Sequence, residues 1–510
     1  MKLRSAIAII LASAVTATIT ILTGCATQPP PAPAAPPPPS PTMLNVRFAA
    51  TATLLRHGQV LITGGVAHEG GSSATAELYD PATGGFALTG GLLTGRARHT
   101  ATLLQNGKVL IAGGIGKAGK PVRPAELYDP ASGRFLATGN MLEARYDHTA
   151  TLLANGKVLI AGGGTTTLGV TNIDTAELYD PASGTFSQTG TVTRYYDPTS
   201  DEVFYKGDQT GTVTSYHDTT SDEFFYKGEM NAAHAMHTAT LLPNGDVLIA
   251  GGMDADGKPQ ALVELYNPVT GKFTPTGSMN LARREHRATL LQNGQVLITG
   301  GLDAQERVLA IAELYDPATG KFALTTEAFP QTGTTMTDVR YEHTASILPN
   351  GQVLIAGGQD VDGVLATAEL YDPAHGSFTC IGGRSGGPLS LCKPSMIDFR
   401  IYAAAVPLAD GQVLIAGGYN TRISKARNPI ARTRGMVAFT VLNSAEIYNP
   451  ASGAFTSTTT VVNARYGLNN RFNAITSPRR LPEDPSPAWL RERASSAAVA
   501  VFFATAVTRG

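Results

Sequence analysis

The chain is poor in cysteine, tryptophan and net charge, and each shortage narrows what it can be. It has 510 residues but only three cysteines and one tryptophan, and its 39 basic and 40 acidic side chains nearly cancel. This balance gives no indication of nucleic acid as a partner, and none is expected. The HExxH and Walker signatures are also absent, which argues against zinc-peptidase and P-loop nucleotide chemistry.

What is present is a phrase repeated seven times, of the form VLIAGG followed by AELYDP-A-[ST]-G-x-F. Its paired glycines recur at Gly64-Gly65, Gly113-Gly114, Gly162-Gly163, Gly251-Gly252, Gly300-Gly301, Gly357-Gly358 and Gly417-Gly418. Three of the six intervals are 49 residues (65 to 114, 114 to 163, 252 to 301), and the longer ones contain insertions. A fixed period of this size indicates a repeat architecture.

Each repeat predicts four short strands. In the second repeat, strand one ends at the turn Asn106-Gly107, which is the strongest short signal for a hairpin. Val109–Ala112 is apolar at every position, so both of its faces should be covered. A third strand at Ala125–Tyr128 and a fourth at Phe135–Thr138 flank an Asp-Pro-Ala-Ser-Gly turn. Sheets of this kind stack around an axis, which predicts an all-β, seven-bladed β-propeller with four antiparallel strands per blade.

The repeats resemble kelch repeats over residues 45–462. The resemblance is carried by the double glycine, by a third-strand tyrosine (Tyr79, Tyr128, Tyr179, Tyr266, Tyr315, Tyr371, Tyr448) and by an aromatic residue seven positions later. That residue is typically Trp in kelch repeats, but here it is Phe86, Phe135, Phe186, Phe273, Phe322, Phe378 and Phe455, which suggests a bacterial subfamily. The resemblance implies a kelch-type propeller, the central architecture of galactose oxidase, and barely constrains function.

Residues 1–25 are typical of a bacterial lipoprotein signal peptide. Lys2 and Arg4 precede an apolar stretch over residues 6–22, and Leu22-Thr23-Gly24-Cys25 resembles a lipobox in which Cys25 is lipidated. An uncleaved transmembrane anchor is the alternative. We therefore expect an exported protein, lipid-anchored to the cell envelope. In a Gram-negative host the outer membrane is expected, because Ala26 rather than Asp follows the cysteine.

The segments on either side of the repeats differ from them in composition. Residues 26–44 are predicted to be a Pro-rich tether, which at roughly 3.1 Å per residue would hold the propeller on the order of 40 Å from the bilayer. Residues 463–510 begin like an eighth repeat and then lose the pattern, and their apolar run over 497–504 is too short to span a membrane as a helix. A degenerate or poorly ordered tail is expected, with an extra closing strand as the alternative, on a monomeric propeller.

Cys380 and Cys392 enclose a short Gly-rich loop after the sixth repeat. In an exported protein two such cysteines predict a local disulfide. A metal-binding pair is the alternative, but no cluster of histidines lies nearby in the sequence. No metal and no cofactor are predicted.

The interval after Gly163 contains a segment that starts at Thr189 and is nearly copied from Thr210, 21 residues later. Residues 189–230 are therefore predicted to be duplicated outer hairpins inserted after blade three. Their aromatic side chains form a candidate platform for sugar rings or for a protein partner: Tyr195, Tyr196, Phe204, Tyr205, Tyr216, Phe224, Phe225 and Tyr226. A neutral duplication that only extends the blade is the alternative.

A second irregularity lies at the start of strand one, where six repeats have Arg, the fourth has His234, and five have a His three residues later. If strand one is innermost, these side chains ring one mouth of the central channel and form a candidate anion or metal site: Arg47, Arg96, Arg145, Arg283, Arg340 and Arg400, with His99, His148, His237, His286 and His343. Ala50 and Ala403 replace the His in the flanking repeats. The alternative, favoured by equal recurrence, is that each Arg pairs with a third-strand Glu, present in all seven repeats.

Two classes of function follow from these features. The leading interpretation is a non-catalytic, lipid-anchored propeller that binds a protein or glycan partner. The alternative is a carbohydrate-active enzyme of the sialic-acid mutarotase type, since an Arg-lined mouth could hold a sugar carboxylate. A galactose-oxidase-like activity would require, by resemblance, a copper site with a cysteine cross-linked to tyrosine, and the insertion that carries Cys380 and Cys392 disfavours it.

Overall fold

The computed structural model describes residues 40–67, 70–166, 171–189, 192–197, 202–207, 216–217, 224–225, 230–328, 334–385, 391–423 and 437–458. The predicted signal peptide with Cys25, residues 26–39 of the tether and the tail from residue 459 lie outside the described residues. Within these ranges, no helix is long and apolar enough to cross a membrane.

The repeats form seven four-stranded antiparallel sheets, one per blade. Blades one to three consist of β1 Thr51–Leu54, β2 Val60–Thr63, β3 Ala76–Asp80, β4 Gly85–Leu88; β5 Thr100–Leu103, β6 Val109–Ala112, β7 Pro124–Asp129, β8 Arg134–Asn140; β9 Thr149–Leu152, β10 Val158–Ala161, β11 Ala176–Asp180, β12 Thr185–Gln188. Two separate hairpins follow blade three, formed by β13 Val192–Asp197 with β14 Glu202–Gly207 and β15 Tyr216–His217 with β16 Phe224–Phe225.

The remaining blades have the same order of strands. They consist of β17 Thr238–Leu241, β18 Val247–Ala250, β19 Val263–Asn267, β20 Lys272–Pro275; β21 Arg287–Leu290, β22 Val296–Thr299, β23 Glu313–Asp316, β24 Lys321–Leu324; β25 Thr344–Ile347, β26 Val353–Ala356, β27 Ala368–Asp372, β28 Ser377–Cys380; β29 Ala404–Pro407, β30 Val413–Ala416, β33 Ala445–Asn449, β34 Ala454–Ser457. A hairpin of β31 Tyr419–Ile423 and β32 Val437–Val441 interrupts blade seven. The described helices are single turns, at Lys117–Gly119 and Thr325–Ala328.

The first strand of every blade lies on the inside of a closed ring. Strand β1 contacts β5, and contacts continue through β9, β17, β21 and β25 to β29, which in turn contacts β1. The all-β, seven-bladed propeller expected from the repeat period is confirmed, with extra hairpins after blade three.

Packing between blades explains the composition of the repeat. The second strand of each blade is buried along its whole length, because a neighbouring sheet covers each of its faces. In every blade the third-strand Tyr packs on the fourth-strand Phe, with ring centroids 4.8–5.0 Å apart. Tilted aromatic pairs of this kind add to the energy of burial, which explains why the Tyr and the Phe recur together in every repeat.

The ring is closed by the segment that precedes blade one. Blade seven takes all four strands from its own repeat, so no strand is exchanged. Instead, Ser40 exchanges two backbone hydrogen bonds with Phe86, and Met43 is buried between blades seven and one. Thr458, at the end of blade seven, bonds the carbonyl of Pro41 through its Oγ1 at 2.9 Å. Residues 40–44, expected to belong to the tether, are therefore part of the propeller.

Candidate functional site at the mouth of the channel

The six predicted arginines lie inside the blades. Each arginine lies four residues before strand one begins, and not at its first residue; Arg47, for example, precedes Thr51 by four residues. Its Nη2 donates to the third-strand Glu of the same blade, at 2.6 Å in five blades and 3.0 Å in blade six: Arg47–Glu77, Arg96–Glu126, Arg145–Glu177, Arg283–Glu313, Arg340–Glu369 and Arg400–Glu446. Burial lowers the pKa of Arg96, and the charge of Glu126 opposes that shift. Each pair lies within one blade, where the two buried charges compensate each other, as burial requires.

The same arginines account for the double glycine of the repeat. Nη1 of Arg96 donates to the carbonyl of Gly113 at 3.0 Å. Gly113 itself has φ +63°, and a Cβ on it would lie 2.5 Å from the carbonyl oxygen of Arg145 in the next blade. Since no side chain fits there, the motif is a packing device rather than a ligand-binding loop.

In blade four a pair of residues replaces the arginine. His234 lies 3.2 Å from Glu264 through Nε2 and 2.7 Å from the carbonyl of Gly251 through Nδ1. The amide of Gln260 donates to the carbonyl of Ala233 at 2.7 Å and lies 3.1 Å from Nδ1 of His234. The third-strand Glu of blade four therefore still has a partner, but that partner is an imidazole and not a guanidinium group.

The five predicted histidines form an inner ring of buried, neutral side chains. In four of them Nε2 lies 2.9–3.1 Å from the Oγ1 of the threonine that begins strand one of the preceding blade: His99 with Thr51, His148 with Thr100, His237 with Thr149 and His286 with Thr238. Burial lowers the pKa of His148 to about 3 and brings those of His99, His237, His286 and His343 well below 6.5, with smaller contributions from nearby positive charges. Each histidine thus joins two neighbouring blades.

The residue before each histidine position has left-handed backbone in all seven blades, although none is glycine. These mouth residues are Ala49, Arg98, Asp147, Met236, Glu285, Glu342 and Tyr402, with φ of 50–58°. Five of them donate their N–H at 3.1–3.2 Å to the mouth residue of the preceding blade, which forms a belt of backbone hydrogen bonds around the axis. Left-handed backbone costs about 1 kcal/mol or more for a side chain with a Cβ, so the ring as a whole must impose it.

The mouth residues line a cavity of about 220 Å³ on the axis. Its described lining also includes Ala50, His99, His148, His237, Arg287 and Ala403, but none of the six predicted arginines. The wall at blades two, three, five and six is charged: Arg98 pairs with Asp147, and Arg287 lies 3.0 Å from Glu342. The wall at blades seven and one is apolar, because Ala50 and Ala403 replace histidines beside Tyr402, which stacks on Tyr419.

Sequence reasoning selected the neighbouring positions and missed the mouth residues. Arg98, Asp147, Glu285 and Glu342 each follow a predicted arginine by two residues, at a position near strand one where charge and size change from blade to blade. That variation was the available signal. Arg287 stands where five of the other six repeats have Thr, and it was visible for the same reason.

The other predicted sites lie away from the channel or outside the described residues. Cys380, the last residue of β28, forms a disulfide with Cys392 in the loop that follows, with Cα atoms 5.3 Å apart. Tyr195 lies opposite Phe204 in the β13–β14 hairpin, and Tyr216 opposite Phe225 in the β15–β16 hairpin. Tyr196, Tyr205 and Phe224 lie on the same paired strands, whereas Tyr226 and Cys25 fall outside the described residues. The aromatic platform stays a prediction.

Comparison with known proteins gives a fold. No protein-family model and no curated protein matches the chain. Among solved structures, the chain is similar to a novel fungal alcohol oxidase with catalytic diversity among the AA5 family, in complex with copper. The TM-score is 0.51 at 16% identity, over 74% of this chain and 71% of that one. At this identity the likeness shows the propeller fold alone.

In the part of the chain that the structure describes, the residues do not fit a copper site. Within the described ranges, Glu369, Cys380 and Cys392 are the one group of three metal-ligating side chains close enough to share an ion. The two sulfurs are bonded to each other, and Glu369 is paired with Arg340. The ring histidines, each bonded to a neighbouring blade, do not form such a group. The chain is thus a seven-bladed β-propeller whose axial cavity is lined by residues that differ from blade to blade.

Proposed function

We propose that the chain is a lipid-anchored, kelch-type propeller of the cell envelope that binds a protein or glycan partner at its channel mouth and catalyses no reaction. The observation that carries this proposal is the contrast between neighbouring positions. The repeated Arg, His and Gly residues are used in the fold, whereas the mouth residues between them vary and line the axial cavity. At these positions the fold imposes a strained backbone, but the type of side chain differs from blade to blade. Such positions are suited to recognition.

The two walls of the cavity suit a ligand with one apolar face and a polar edge. Arg98 with Asp147 and Arg287 with Glu342 present donors and acceptors fixed by their ion pairs. Tyr402, Ala403 and Ala50 present an apolar surface opposite. A cavity of about 220 Å³ has room for one sugar residue or one large side chain of a partner.

The binding proposal is tested with the chain from residue 26 onward, which keeps every described residue. Glycan-array binding and pull-down from envelope extracts would identify a ligand. Asp147→Asn and Glu342→Gln keep size but remove charge, and are expected to weaken binding by about tenfold or more. Arg56→Gln, in a turn at the other end of strand one, is the matched control. Binding that both mouth variants leave unchanged would contradict the proposal.

Lipid anchorage rests on the positive start, the apolar stretch and the lipobox-like sequence that ends at Cys25. Cys25→Ser is expected to move the protein from the membrane fraction to the soluble fraction once the signal is removed, because acyl chains would be its main anchor. Membrane fractionation that is unchanged in a signal-cleaved Cys25→Ser variant would disprove the anchor.

A second candidate is supported by the two guanidinium groups in the cavity. Arg98 and Arg287 could hold a sugar carboxylate, as a sialic-acid mutarotase would require, but only by exchanging Asp147 and Glu342 for the ligand. Faster exchange between the anomers of sialic acid, followed by NMR and lost in Arg287→Gln, would favour this enzyme over a binding protein.

A further inference from the structure

A row of exposed apolar side chains follows one half of the propeller. Leu93, Leu142 and Ile397 lie in the loops that join the outer strand of one blade to the inner strand of the next, and Leu44 occupies the equivalent position in the segment that precedes blade one. In each, the backbone N–H donates to Oε2 of the third-strand Glu at 2.6–2.7 Å. These four residues are 50%, 62%, 41% and 56% exposed. They lie at the four consecutive junctions that run from blade six through blades seven, one and two to blade three. We call these residues, with Phe399, the apolar arc.

The other half of the ring is polar at the same position. Asn231, Asn280 and Thr337 occupy the remaining three junctions. The side-chain amides of Asn231 and Asn280 fold back onto Glu264 and Glu313, at 2.5 and 3.0 Å. Single exposed leucines are ordinary on protein surfaces, but a switch from apolar to polar between the two halves of one repeated ring is not expected from chance exposure.

Phe399 strengthens the asymmetry. It is 43% exposed in the same loop as Ile397 and directly precedes Arg400. At that position the other blades have small side chains, namely Val46, Gly95, Ala144, Ala233, Ala282 and Val339. An aromatic ring is added only on the side where the aliphatic residues lie.

The arc lies where the N-terminal chain joins the ring. The described chain begins at Ser40, four residues before Leu44, so the two are at most roughly 14 Å apart. Residues 1–39, with the apolar stretch and Cys25, therefore connect to the propeller within the arc. The occupant that this placement favours is the surface of the membrane that the N-terminus is proposed to enter.

We propose that the apolar arc docks on the lipid bilayer, with its aliphatic and aromatic side chains in the interfacial region. Aliphatic residues with an aromatic neighbour on one side of a fold suit shallow contact with a membrane. The inference rests on the proposed lipid anchorage and changes the role of the Pro-rich segment. That segment becomes a leash that keeps the propeller near the bilayer, rather than a spacer that holds it away.

The test uses the chain from residue 26 onward, which lacks the lipid, and vesicles of phosphatidylethanolamine and phosphatidylglycerol at 3:1. The main variant is the triple Leu44→Asn, Leu93→Asn, Leu142→Asn, which adopts the residue that two other junctions already have. Co-sedimentation with vesicles is expected to fall by about tenfold or more, because the variant loses three leucine side chains that the bilayer would bury. Val269→Asn is the matched control, because Val269 is 93% exposed in a turn at the other end of the third strand.

Insertion can also be followed directly. Phe399→Trp, in a Trp489→Phe background, should show a blue shift in fluorescence with vesicles and quenching by brominated lipid. Absence of vesicle binding, or binding that the triple variant retains, would overturn the proposal. A wild-type dimer that the triple variant converts to monomer would also overturn it, by assigning the arc to a second copy. Fractionation of Cys25→Ser tests the anchor separately, so the two failures can be told apart.

Discussion

Oγ1 of Thr299 lies 3.0 Å from Nε2 of His343, and this bond compensates for a threonine that blade five lacks. Strand one of blade five begins with Arg287 instead of the Thr that bonds the preceding four histidines. Strand two of the same blade ends with Thr299, where most blades have Ala. In this blade the hydroxyl group that bonds the next histidine comes from strand two instead of strand one. The first position of strand one is therefore occupied by Arg287, which lines the cavity.

Thr299→Ala should therefore destabilise the fold by about 1–3 kcal/mol, because Nε2 of His343 would be buried without this partner. Thr63→Ala is the matched control, since His99 keeps Thr51 at 3.0 Å. Chemical denaturation should show a smaller loss for the control. The double variant Arg287→Thr, Thr299→Ala restores the threonine at the start of strand one and should recover most of the stability. Equal losses in Thr299→Ala and Thr63→Ala would contradict this account.

Glu126→Gln should destabilise the propeller by about 2–4 kcal/mol, because its carboxylate accepts from Arg96 and from the N–H groups of Leu93 and Thr94. Asp256→Asn, at an exposed ion pair with Lys258, should cost at most about 1 kcal/mol. The measurement is denaturant unfolding, with titration of sialic acid or sulfate in parallel. Wild-type stability combined with altered anion binding would show that the ring of charges serves a ligand.

Stability should fall as the pH drops below about 6.5. Because burial depresses the pKa of the ring histidines in the folded state, the unfolded chain binds the extra protons, and acid favours unfolding. For His148 the loss in free energy of unfolding should be about 2 kcal/mol between pH 7 and pH 5, and it continues down to about pH 3. The other ring histidines should add losses of the same sign.

The variant His148→Asn should reduce the pH dependence of the free energy of unfolding by about 1 kcal/mol per pH unit, averaged between pH 7 and pH 5. His375→Asn, at an exposed turn, is the control. Unfolding by urea at pH 5, 6 and 7 gives the slope. A slope that His148→Asn leaves unchanged would mean that this histidine is not held neutral.

Met43→Ala should destabilise the ring by roughly 2–5 kcal/mol, because Met43 is buried where blade seven meets blade one. The adjacent Leu44→Ala should change the free energy of unfolding by about 0.5 kcal/mol or less, since Leu44 is exposed. Thermal and denaturant unfolding compare the two. Equal effects would show that the segment before blade one does not close the ring.

Deleting residues 209–229 should leave the melting temperature nearly unchanged, because neighbouring blades supply most of the stability in a repeat array. Extending the deletion to Met230 should lower it, although the inserted segment was expected to end there. Met230 is buried beside Leu153 and Val247, and its N–H donates to the carbonyl of Asp174 at 2.9 Å. A collapse of the shorter deletion into insoluble protein would show that the hairpins pack against the ring.

The repeat determined the fold because its information is local. The hairpin turn at Asn106-Gly107, the uniformly apolar Val109–Ala112 and the Tyr128–Phe135 pair specify one four-stranded sheet within about 50 residues. Sheets whose second strands are apolar on both faces must stack, and the tertiary structure follows that rule. The recurring Arg and Glu also indicated a buried pair, although the sequence did not say which blade supplies each partner.

The axial site was decided by closure of the ring. Thr149 and His237 are 88 residues apart and bond only because blades three and four are adjacent across the insertion. The left-handed backbone of Arg98 or Glu342 has no local signature, since it is imposed by a belt of hydrogen bonds between blades. Which side chains reach the cavity therefore depends on seven sheets meeting at one axis, and a single repeat does not contain that information.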